Sequence, residues 1–142
     1  MEDKLQIKTE IITEIKDFII NNAYFNLNFE ICGLLGFDEE SQKYIAEIQK
    51  NESPDPKNHF IINPIDYLNF KNKYSLIAVF HSHVIYDEKP SEFDIKISES
   101  TCLPFIIFSI NSKKFHIYEP KYKDYKIDFL EKIKSKFIEE IE

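Results

Sequence analysis

Ser75-Leu-Ile-Ala-Val-Phe-His-Ser-His83 is a near-continuous apolar run closed by two histidines. A run of this length predicts a central strand covered on both faces of a sheet. Outward from it, Asn63-Pro64 opens a short helix to about Lys71, with proline in the first turn where its missing N–H costs nothing. Ahead of that helix, His59-Phe-Ile-Ile-Asn63 reads as a strand, and Asn51–Asn58, with two prolines and several turn formers, reads as a loop. Glu30-Ile-Cys-Gly-Leu-Leu-Gly-Phe37 and the alternating stretch Lys43–Gln49 are expected to form a hairpin. From a capping Thr9, the spacing of Ile11, Ile15, Phe18, Ile19 and Asn22 predicts a first helix with one buried face.

Downstream of the central strand, Val84–Pro90 is a polar connection and Ser91 opens a short helix. Pro104–Ile110 and Lys113–Tyr118 read as two strands joined by a two-residue turn at Asn111-Ser112. Ile127, Leu130, Ile133, Phe137, Ile138 and Ile141 lie at helical spacing and predict an amphipathic C-terminal helix. No repeat or low-complexity tract interrupts the chain. The expected class is α/β, a single domain with a mixed sheet flanked by helices.

The chain has 142 residues, enough for one hydrophobic core. All eighteen basic residues are lysine, against twenty-five acidic ones, and the net charge is −7. Without arginine the chain lacks the planar fork that clamps phosphate and guanine, and its negative field repels a nucleic-acid backbone, so nucleic acid is not an expected partner. No stretch has the apolar length of a membrane span and the N-terminus does not resemble a signal peptide. The expectation is a cytoplasmic protein of a bacterial, archaeal or phage-infected cell. Two cysteines, Cys32 and Cys102, do not make a disulfide scaffold and are expected as reduced thiols.

His81 and His83 stand at i and i+2, so both imidazoles leave one face of the strand and can converge on an ion. Ser91 follows and Asp94 comes three residues later. Pro-Ser-x-x-Asp is also the pattern of a helix N-terminus, with serine as cap and an acid in the first turn. The two readings are compatible, because a helix starting at Ser91 fixes the Asp94 carboxylate as a third ligand. Two histidines and one carboxylate with an open position is a catalytic zinc arrangement.

His81-Ser82-His83 followed by Ser91-Glu92-Phe93-Asp94, with Glu30-Ile-Cys-Gly-Leu-Leu-Gly36 upstream, resembles the signature of the JAMM metalloproteases, the catalytic branch of the MPN domain family. Val84 stands where many members carry proline, a loop position and not a ligand. The resemblance covers the chain from about residue 5 onward and implies an MPN, or cytidine-deaminase-like, architecture over residues 1–142. It implies that His81, His83 and Asp94 bind Zn²⁺, which activates water for attack on a carbonyl. Glu30, otherwise an ordinary acid at a strand start, becomes the general base that passes the proton to the leaving amine. Ser91 is implied as a donor to the oxyanion. Gly33 and Leu34 are implied as substrate-binding residues, since glycine permits close approach of an extended tail. Cys32 reads as core packing, and His59 and His116 as structural or surface residues.

The implied partner is a protein with an extended C-terminal tail, either ubiquitin-like or a phage tail component. The stretch Glu99–Ile110, with its Leu-Pro-aromatic sequence, is similar to the phage tail-assembly branch of the family. Such proteins commonly carry a further cysteine-peptidase domain, which is not expected within these 142 residues. The competing reading is a non-catalytic MPN scaffold in an assembly complex, a role in which part of the ligand set is usually lost.

Overall fold

The computed structural model describes residues 9–122 and 137. Its elements run α1 (Thr9–Phe25), β1 (Cys32–Asp38), β2 (Lys43–Gln49), α2 (Pro64–Lys73), β3 (Ser75–His83), α3 (Glu92–Thr101), β4 (Phe105–Ser109) and β5 (Phe115–Tyr118). The strands form one mixed sheet in the order β2-β1-β3-β4-β5. All neighbouring pairs are antiparallel except β3 and β4, which are parallel and joined through α3. The protein is therefore a small α/β domain, as its sequence implies.

Alternation along β3 divides the interior in two. Ala78 and Phe80 point to one face, where Ile12, Ile15, Ile19 and Ala23 of α1 join Ile106, Phe108, Phe115 and Ile117 in a continuous apolar core. Val79 points to the other face with Cys32, Leu34, Phe105 and Ile107, covered by Phe60 and by Phe70 of α2. The buried stripe of α1 is thus Ile12-Ile15-Ile19-Ala23, with Ile11 and Phe18 only partly buried at its margin. That is a rotation of the expected stripe by about one residue. Phe137, the described part of the expected C-terminal helix, is helical, fully buried and packed on Phe115; the remainder of that helix lies outside the described residues.

Two local expectations are corrected. His59–Asn63 is not a strand, because its backbone pairs locally and not with the sheet: the Ile61 carbonyl accepts from Glu52 N–H and the Ile61 N–H donates to the Asn51 side chain. The β4–β5 turn is longer than Asn111-Ser112. Ser109 N–H pairs with the Lys114 carbonyl, and Lys113 takes a left-handed φ of 62° to close the loop.

Gly33 is required by packing. A Cβ there would lie 2.2 Å from the Phe80 ring and 2.5 Å from the Glu47 carbonyl oxygen, far inside van der Waals contact.

Candidate metal centre

The parallel β3-α3-β4 unit determines where the site forms. His81 and His83 project from the C-terminal end of β3 on the face opposite α1, and the N-terminus of α3 returns over them. Strand carboxyl ends beside a crossover helix are where open α/β sheets bind ligands, since the connecting loops leave a crevice there. The helix is started by a reciprocal cap: Ser91 Oγ accepts from Asp94 N–H at 3.0 Å, and Asp94 Oδ2 accepts from Ser91 N–H at 2.9 Å. That cap leaves the carboxylate facing the two imidazoles.

His81, His83 and Asp94 are all buried, and one ligand atom from each lies within 4.8 Å of the others. His83 Nε2 is 3.0 Å from Asp94 Oδ2, and His81 Nε2 is 3.2 Å from Oδ1. His83 Nδ1 is 2.6 Å from the Asp87 carbonyl oxygen. A carbonyl only accepts, so Nδ1 carries the proton and donates it; in the neutral ring the Nε2 lone pair then faces carboxylate oxygens. Lone pairs opposed at that distance require a cation between them, either a proton or a metal ion. Neither ring nitrogen of His81 has a hydrogen-bond partner of acceptable geometry, although both are buried. An orphaned imidazole, a second imidazole oriented by a backbone carbonyl and a fixed carboxylate can hold a metal ion.

The charges agree. Burial pushes the His81 pKa down, against the opposing pull of Asp94, which favours the neutral, ligating form. Burial also disfavours charge on His83, but the Asp94 and Asp87 hydrogen bonds and the charges of Asp94 and Glu30 outweigh it and raise the pKa. Asp94 is buried too, yet His81, His83 and the Ser91 N–H hold its carboxyl well below the usual range. It stays an anion.

Glu30 reaches the same place from the start of β1. Cys32 is in register with His81, and Ile31 and Ser82 bond doubly: Ser82 N–H donates to the Ile31 carbonyl at 3.0 Å and Ile31 N–H to Ser82 Oγ at 2.9 Å. Continuing that register sets Glu30 across from His83. The Glu30 carboxyl is 2% exposed, and its pKa is pushed up to about 8 by burial, with His83 opposing and Asp94 and Asp55 adding to the rise. A buried acid whose pKa lies near neutrality, beside a cluster that can hold a metal ion, is a candidate functional site on physical grounds.

The remaining candidates fall elsewhere. Gly33 faces Phe80 on the α1 side, and Leu34 is fully buried in the other core. Both lie on β1, which is hydrogen-bonded on each side by β2 and β3 and has no open edge for a tail. The structure does not bring them to the metal-ligating residues. Burial pushes the Cys32 thiol up to about 12, in keeping with a packing role. His59 is exposed and packs on Phe93, 5.3 Å between ring centroids.

Sequence reasoning missed Ser82, the Asp87 carbonyl and Asn51. Ser82 alone left a signal, a polar residue within an apolar run, on the side of the strand away from the histidines. Next to the site, Phe60 lies over His81 at 4.5 Å, and Phe60, Tyr67, Val79, Phe93, Ile97 and Phe105 line an apolar cavity of about 230 Å³.

No protein-family model matches the chain. Tail tip assembly protein K of Escherichia phage N15 is 28% identical over 105 residues, which are 74% of this chain and 42% of that protein. The chain thus spans less than half of that relative's length. A Desulfitobacterium hafniense protein solved in solution is similar in fold, with a TM-score of 0.56 at 20% identity over 86% of this chain and 95% of that one. A Salinibacter ruber protein superposes with a TM-score of 0.44 at 15% identity, over 82% and 90% of the two chains. No described helix is long and apolar enough to cross a membrane.

Proposed function

We propose that the chain is a zinc-dependent metallopeptidase or isopeptidase of the JAMM type, an MPN domain that cuts a peptide or isopeptide bond at the extended tail of a protein substrate. The observation that carries the reading is the buried His81-His83-Asp94 cluster with the Glu30 carboxyl, poised near pH 8, across the strand pair from it. Two imidazoles and one carboxylate suit zinc and leave a coordination position for substrate or water. A zinc ion held there supplies a Lewis acid that polarises a carbonyl and makes water acidic enough to act near neutral pH.

The chain's own groups do the rest. Glu30 accepts a proton at its carboxylate as attack begins and returns it to the leaving nitrogen. Its burial keeps that proton from bulk water. His81 and His83 through ring nitrogens and Asp94 through its carboxylate would hold the ion, and the Asp87 carbonyl orients the His83 ring. The Ser91 hydroxyl already accepts from Asp94 N–H, while its own proton has no acceptor among the described residues and can be given to an oxyanion. The similarity to a phage tail tip assembly protein supports a phage tail component as substrate, with a ubiquitin-like protein as the other candidate.

The test is metal content and hydrolysis. Protein purified without chelators is expected to hold about one zinc per chain and to release the fluorophore from a ubiquitin-tail amide or cut a phage tail protein. Glu30→Gln is expected to retain zinc and lose about 10²–10⁴-fold in rate. A protein that holds no zinc and takes up none when it is added sinks the reading.

A further inference from the structure

Glu30 lies two residues before the ladder that begins at Cys32, and the Ile31–Ser82 hydrogen bonds hold its C-terminal side. The loop before α2 holds the rest. Glu30 N–H donates to the Pro56 carbonyl at 2.7 Å, and the Glu30 carbonyl accepts from Asn51 Nδ2 at 2.9 Å. The same Nδ2 reaches the His59 carbonyl at 3.1 Å and the Pro56 carbonyl at 3.4 Å. Asn51 Oδ1 accepts from Ser53 N–H at 3.0 Å and from Ile61 N–H at 3.2 Å. One carboxamide therefore spends both protons and both lone pairs on backbone groups, uniting the two ends of the loop with the residue that carries the buried acid.

We infer that Asn51 is a positioning residue for Glu30, its carboxamide clamping the loop against the Glu30 backbone so that the carboxyl is held toward His83 and Asp94. The inference rests on the peptidase reading for what Glu30 does, but the clamp itself is independent of it. His81, His83 and Asp94 come from β3 and α3 and make no hydrogen bond to Asn51; the clamped loop reaches them only by the packing of Phe60 on His81, so loss of the clamp acts first on the acid.

Amide hydrogen exchange and kinetics test this together. In Asn51→Ala, exchange of the Glu30 amide is expected to accelerate at least about tenfold, the effect of losing a hydrogen-bonded clamp, with Phe80 unchanged. On a ubiquitin-tail amide, kcat is expected to fall about 10–100-fold with KM within twofold and zinc stoichiometry intact. In a Glu30→Gln background the same substitution is expected to cost nothing more, because the group it positions is already gone. Asn51→Asp keeps the two accepted bonds and loses the donated ones; it serves if the alanine variant does not fold, with the same expectations. An unchanged Glu30 amide, or a full additional loss in the double variant, overturns the inference. The exchange experiment needs no substrate, so it decides the clamp even where the conjugate is not cut, which counts against the peptidase reading alone.

Discussion

The two faces of the sheet are built from the same strand by opposite rules. On the α1 side, Ala78 and Phe80 of β3 meet only apolar partners, and the aromatic contact of Phe80 with Phe18, 6.3 Å between centroids, extends that core into the helix. On the other side, Val79 begins an equally apolar core, but one step further along the strand it becomes His81, then His83, with Glu30 and Asp94 buried beside them. The first face uses burial to stabilise; on the second, burial raises the Glu30 pKa and lowers that of His81, while hydrogen bonds and charges keep Asp94 an anion. A strand need not choose between packing and chemistry, because its period of two assigns them to different sides.

The comparison can be broken from either side. Phe80→Ala removes the ring that fills the space above Gly33 and is expected to destabilise by about 3–5 kcal/mol, read by urea denaturation. The folded fraction should still bind zinc with unchanged stoichiometry, since the lost ring faces away from the ligands. Loss of zinc from the folded variant would mean that the two faces are not independent.

The opposite result is expected at Glu30. Its folded pKa of about 8 lies above the ordinary value of 4.5. Any stability linked to its protonation is therefore complete below pH 4.5 and is lost as pH rises through 8. In metal-free protein at pH 7 the buried carboxyl then costs about 3 kcal/mol, so Glu30→Gln is expected to raise stability there by a similar amount while abolishing hydrolysis. Denaturation at pH 5 and pH 8 checks it: the gap between parent and variant should widen with pH. The smallest expected effect is at Ser91→Ala, where losing the helix cap costs about 1 kcal/mol. Weaker zinc binding should accompany it, because the cap orients Asp94.

The buried His81-His83-Asp94 cluster was legible because it is a pattern within one strand and the next helix start, and the pairing of Ser91 with Asp94 reads equally as a cap and as a ligand mount. The structure shows the cap as one reciprocal hydrogen-bond pair. Strand β3 was legible from its apolar length, and β1 and β2 from the hairpin composition. Gly33 is ambiguous in the sequence, because a glycine needed for an intramolecular contact has the same appearance as one needed for a ligand. His59–Asn63 misled because β-forming composition does not reveal whether an extended segment finds a ladder or, as here, an asparagine side chain. Asn51 left no signal at all. Its role exists only when residues far apart in the chain come together.

The two halves of the site differ in the chain they must close. His83 and Asp94 are 11 residues apart, whereas Ile31 and Ser82, whose two hydrogen bonds set Glu30 across from His83, are 51 apart. Closing the longer loop costs about 1.4 kcal/mol more in chain entropy. By chain entropy alone, the His83–Asp94 pair has the easier route to closure. On the peptidase reading, a chain that captured an ion before Glu30 docked would be loaded but inert until the sheet was complete.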